Sequence, residues 1–183
     1  MNRKRLAPLA LVSVFVVIST DTSQVTAANM RNFIEAVRRK AAVVYIGSVR
    51  KVDLLKRTKF DIKVRALVDV LAVMQSPGAN PDEATVEYSS YDDKTPMLEG
   101  GPQYQLLSGV KIVVFTNSFA STIPPGYLLQ GSREELLQRV EALHDALSHM
   151  SPEQLKANEV NEDDRRIQLA LYEKLCAYFR TSK

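Results

Sequence analysis

Phe60-Asp61-Ile62-Lys63-Val64-Arg65-Ala66-Leu67-Val68-Asp69-Val70 is the stretch on which the fold class turns. Phe60, Ile62, Val64, Ala66, Val68 and Val70 fall on one side of an extended chain, and Asp61, Lys63, Arg65 and Asp69 on the other. Successive side chains of a strand point to opposite faces. A period of two with one wet side therefore marks an antiparallel sheet covered on one face. The pattern runs from Lys59 to Met74 and ends at the turn-forming cluster Ser76-Pro77-Gly78-Ala79-Asn80-Pro81.

Before this strand, Ala42 to Val52 is rich in β-branched and aromatic residues around Gly47, which marks a bulge or bend. Met30, Phe33, Ile34 and Val37 repeat at helical spacing and predict a short helix ending near Lys40. Arg31, Arg38, Arg39 and Lys40 form its polar face, read as solvated, with an anionic-membrane or phosphate contact as the alternative. After it, Thr85 to Tyr91 predicts a third strand, followed by a loop from Asp92 to Pro102 and a short strand at Tyr104 to Leu107. Lys111 to Thr116 is apolar enough to lie in the middle of a sheet. A turn at Pro124-Pro125-Gly126 leads to a last short strand, Tyr127 to Gln130.

The pattern changes at Ser132. Ser132 with Glu135 predicts a capping box, and Leu136, Val140, Leu143, Leu147 and Met150 make one apolar stripe. Ser151-Pro152-Glu153-Gln154 starts a second helix, and Asn161 with Asp164 a third, with the stripe Ile167, Leu171, Leu175 and Tyr178. Each stripe spans too few heptads for a coiled coil, so packing on the sheet or on each other is expected.

Residues 1–27 read as a signal peptide. Arg3-Lys4-Arg5 is a positive start, Leu6 to Thr20 an uncharged run, and Ala27 or Ala28 the cleavage point. The run is shorter than the ~20 residues that span a bilayer. The chain carries 24 basic and 21 acidic residues, a net charge of +3, but without the leader the balance falls to 21 against 20. Global charge thus makes no case for nucleic acid. The basic stretch Lys51 to Arg65 surrounds Phe60, which shares the apolar face and reads as core, so no nucleic-acid partner is expected.

Candidate chemistry is sparse. His144 and His149 are the only histidines, and five residues apart on one helix they cannot share a metal. Cys176 is the only cysteine, lies within a helix pattern, and reads as a small buried hydrophobe rather than a reactive thiol. Asp92-Asp93 reads as a solvated loop, and Asp163-Asp164 as a helix start where acids favour the dipole. Gly100-Gly101-Pro102 lacks the lysine and the strand–helix setting of a phosphate loop. No catalytic, cofactor-binding or metal-ligating residue is assigned, no cofactor is expected, and the chain is read as not an enzyme.

Ala41-Ala42-Val43-Val44-Tyr45-Ile46-Gly47-Ser48-Val49, following a short helix, resembles the opening of the netrin-like, or tissue-inhibitor-of-metalloproteinases-like, domain. The long second strand and the apolar strand from Gly109 to Phe115 fall where that family places them. The resemblance covers about half of the chain after the leader. It implies a five-stranded barrel of the oligonucleotide/oligosaccharide-binding type with terminal helices. Protease inhibitors of the family reach zinc through an N-terminal cysteine held by disulfides, and with Cys176 alone this chain cannot act that way.

The expectation is an α+β protein. Residues 28–131 would form a short helix and a small antiparallel OB-like β-barrel or curled sheet, and 132–183 two or three C-terminal helices packed on it. Its function would be that of a periplasmic or secreted, non-enzymatic binding or interaction module. The partner would be another envelope or secreted protein, with no membrane span left after leader cleavage. A small-molecule or lipid carrier using the barrel mouth is the alternative, and a small hydrolase stands behind it.

Overall fold

The computed structural model describes residues 34–78, 80–92, 94–95, 105–122 and 128–182. The leader read at 1–27, most of the loop after Asp92, and Tyr104 lie outside them. The described part of the first helix, α1, covers residues 34–39. There follow β1 (Val43–Arg57), β2 (Ile62–Gln75), β3 (Glu83–Ser90), β4 (Lys111–Thr116), β5 (Ala120–Thr122) and β6 (Leu128–Gly131). Then come α2 (Arg133–Ser148), α3 (Pro152–Ala157) and α4 (Glu162–Thr181).

Among the described residues the strands form one six-stranded sheet in the order β5-β3-β2-β1-β4-β6. The expected α+β class with C-terminal helices is what the chain adopts. The sheet differs from expectation in two ways: β5 pairs with β3 in parallel, so the sheet is mixed, and it does not close into a barrel. β5 and β6 remain its two edges.

The sheet is nonetheless strongly curled, and one short link shows why. Only Asn117, Ser118 and Phe119 separate β4 from β5, although three strands lie between those two in the sheet. A flat sheet would put them about 19 Å apart at ~4.8 Å per strand. Four extended residue steps reach only about 14 Å. The sheet must therefore bend until β3 approaches the end of β4. Bulges supply the bend, with register shifts in the β1–β2 ladder between Ile46 and Gly47, Val49 and Lys51, and Leu54 and Lys56. At Gly47 a Cβ would meet Val68 Cγ1 at 2.3 Å and the Asp69 carbonyl at 3.0 Å, so a side chain here would force β2 to shift.

Both faces of β4 and of β1 as far as Val49 are buried, one by the curl of the sheet and the other by the helices. On the convex side Val44, Ile46, Val113, Phe115 and Leu129 pack against Leu136, Val140 and Leu147 of α2 and Leu171, Leu175 and Phe179 of α4. On the concave side Tyr45, Val49, Ile112 and Val114 meet Val64, Ala66, Val68, Val86 and Tyr88, which extend from β2 and β3. The helix starts follow the sequence: Ser132 Oγ accepts from Glu135 N at 3.2 Å, Ser151 Oγ from Gln154 N at 3.3 Å, and Asn161 Oδ1 from Asp164 N at 2.7 Å.

Several local expectations are corrected. Phe60 is not core: the strand begins only at Ile62, and the ring sits in the preceding turn, 56% exposed. Ile167 leaves the α4 stripe and is exposed, while Gln168 and Tyr172, one turn-face over, are buried. Residues 105–107 form no strand, although Leu106 is buried and its backbone N–H donates to the Tyr88 hydroxyl at 3.1 Å. The basic face of the first helix is not simply solvated. Arg38 is buried, pairs with Glu35 at 2.7 Å and lies 5.6 Å from the Phe115 ring centre, and Arg39 donates to the Asn158 carbonyl at 3.1 Å.

Candidate binding surface

β1 pairs with β4 only from Val43 to Ser48. Past that point Gly109 N donates to the Val49 carbonyl, Val49 N to the Val110 carbonyl, and Ser108 Oγ to the Arg50 carbonyl, at 2.7, 2.9 and 2.7 Å. Gly109 has φ +85, a left-handed conformation that lets the chain turn into β4 here. From Lys51 to Arg57 the outer edge of β1 meets no strand among the described residues, while on the other side β2 stays paired with β3 as far as the Ile62–Ser90 rung, so the sheet reaches the β1–β2 turn three strands wide. At ~3.4 Å per residue this free edge is about 23 Å long.

The tip is a fixed turn. Thr58 N donates to the Asp61 carbonyl at 2.8 Å, and Thr58 Oγ1 accepts from Phe60 N and Asp61 N at 3.1 and 3.0 Å while donating to the Asp61 carboxylate. Phe60 is thereby held outward at the apex, with Lys59 Nζ 5.5 Å from its ring centre. The bulge between Leu54 and Lys56 pushes Leu55 out of the alternation, leaving Leu54 54% and Leu55 43% exposed.

The charges at this end of the sheet fall into two groups. Arg50 bridges Asp69 and Glu83, Lys51 meets Asp53 at 2.8 Å, and Arg65 meets Glu87 at 2.5 Å. Arg57 grips Asp92 with two bonds of 2.5 and 2.6 Å and adds Thr95 Oγ1 at 2.5 Å. The Arg57 guanidinium holds the Asp92 carboxyl at about 2, and Asp92 raises the guanidinium in turn. Lys56, Lys59 and Lys63 form no ion pair among the described residues. Lys56 and Lys63 stand directly opposite one another in the ladder. Like charges so placed cost stability, so this cross-strand pair works against the fold.

The residues singled out for chemistry are not brought together. Asp92 is tied to Arg57 beside a cleft of about 230 Å³ lined by Val52, Leu54, Ile62, Val64 and Tyr88. His144 lies in the helix layer, its Nε2 3.8 Å from Glu173, and His149 Nδ1 lies 2.8 Å from the Asp145 carbonyl oxygen. Asp163 and Asp164 occupy the first turn of α4. Cys176 is buried in the helix core, which pushes its thiol up. Among the described residues no group of three or more His, Cys, Asp and Glu could hold a metal ion. A cavity of about 480 Å³ lies between α1 and the β4–β5 link and is lined by Ala36, Val37, Lys40, Phe115 and Ser121. Among the described residues Lys40 is its one ionisable side chain.

No protein-family profile matches the chain, and neither does any curated protein. The sequence held one signal for this surface: Leu54-Leu55 breaks the alternation begun at Val52 and marks the bulge that turns an apolar side chain outward.

Proposed function

We propose that the chain is an exported, non-catalytic binding module whose contact surface is the β1–β2 turn and the adjoining edge of β1. The observation that carries this reading is the company kept there: exposed Leu54, Leu55 and Phe60 beside Lys56, Lys59 and Lys63. The apolar stripes of the helices, by contrast, are spent on the core, with Leu136, Val140, Leu171 and Leu175 all buried. Export rests on the leader read at residues 1–27. A short helix running into a bulged first strand, and a curl that brings β3 toward β4, support kinship with the netrin-like domain. A second reading, a small-molecule carrier, draws on the cavity of about 480 Å³ beside α1. Native mass spectrometry of the exported chain separates the two. An apo mass with its N-terminus at residue 28 or 29 is expected, and a stoichiometric bound metabolite or an intact Met1 would overturn the reading.

A further inference from the structure

We infer that the β1–β2 turn docks on an anionic lipid surface, an inference that rests on the binding-module reading and names its partner. Lysines on a free strand edge are common, because they keep edges from pairing with other chains. Leu55 and Phe60 do not fit that role, since exposed apolar side chains beside an open edge promote the pairing that lysines prevent. Together the two kinds of residue match an interface that is anionic outside and apolar within. Phe60 sits at the apex, and the Lys56–Lys63 rung lies two positions behind it, beyond the Arg57–Ile62 rung. At ~3.4 Å per rung, all three lysines fall within about 10 Å of the apex, roughly one screening length at physiological salt. Their flexible stems let the ammonium groups stay at the headgroups while Phe60 and Leu55 enter the acyl boundary. Of the described acids at this end, Asp61 accepts from Thr58 and Asp92 is held by Arg57, while Lys56, Lys59 and Lys63 have no ion pair among the described residues. Single-stranded nucleic acid fits less well. It tracks a groove with successive exposed stacking rings, whereas here Phe60 stands exposed beside the aliphatic Leu54 and Leu55, and the Tyr88 ring is buried.

Co-sedimentation of the exported chain with equimolar phosphatidylglycerol–phosphatidylcholine vesicles, against pure phosphatidylcholine, is the test. Binding to the anionic vesicles alone is expected, weakening as salt rises. K56Q/K59Q/K63Q should weaken it on the order of a hundredfold, at about fivefold per lysine. K40Q/K156Q/K174Q, which removes equal charge from the other end of the fold, should leave it within about threefold of the parent. The chain has no tryptophan, so Phe60→Trp supplies a single emitter whose spectrum should shift to the blue on anionic vesicles. No vesicle binding, equal loss in the two triple variants, or an unshifted emission would each overturn the inference. Capture of an acidic protein that depends on the same lysines, without vesicle binding, would overturn the lipid partner and leave the binding-module reading standing.

Discussion

Tyr45 is the residue where the concave core is least satisfied. Its side chain is 0% exposed, its ring lies 5.4 Å from that of Phe119, and its hydroxyl finds no hydrogen-bond partner among the described residues. Burial drives its ionisation far above the ordinary tyrosine range, so the group stays neutral. An unmatched buried hydroxyl costs roughly 1–3 kcal/mol of desolvation. Tyr45→Phe keeps the ring contact and removes that cost. It should raise stability by about 1 kcal/mol, seen as a higher urea midpoint at unchanged slope. A lower midpoint would mean that the hydroxyl is bonded.

Among the elements, the end of β1 depends on a clamp of charge. Arg57 on β1 holds Asp92 and Thr95 from the segment after β3, fixing that end to its neighbour. The Asp92 carboxyl lies at about 2 in the folded chain, below its ordinary 3.8. A lowered folded value means that the clamp stabilises above about pH 4 and is lost as pH falls toward 2. The melting temperature of Asp92→Asn should therefore lie below the parent's at pH 6, with the gap closing between about pH 4 and 2. A gap that stays constant with pH would show that the clamp does not depend on the carboxylate.

Which elements could be read in advance follows from how local their causes are. Caps at Ser132, Ser151 and Asn161 are decided within four residues, and the β2 alternation within a dozen, so both were legible. β5 was not. Ala120, Ser121 and Thr122 carry no strand pattern and extend only because β3 is brought alongside by the curl. The offset of α4 from Ile167 toward Tyr172 reflects packing on the sheet as well as on α2, which a single stripe does not encode. The proposed binding surface was half legible: the basic run was plain, but the outward placement of Phe60 and Leu55 depends on a turn and a bulge.

For the molecule as a whole, the helices are part of the core of the sheet rather than an appendage. Val44, Ile46, Val113 and Phe115 are all 0% exposed, and their cover on the convex side is α2 and α4. A chain ended after Gly131 would open that face to water. It should lose cooperative thermal unfolding and gain binding of a hydrophobic dye, whereas the parent should melt in a single transition. A sharp transition in the shortened chain would show that the sheet stands alone.

The three residues from Asn117 to Phe119 also have a mechanical meaning. They act as a clasp: β4 and β5 are laced so tightly that the curl cannot open without first stripping β5 from β3. A sheet fastened in this way has little freedom to flex, and β3 extends that stiffness along β2 as far as the Ile62–Ser90 rung. The β1–β2 turn is therefore already shaped, and the docking proposed above would surrender little conformational entropy beyond that of the side chains that touch the surface.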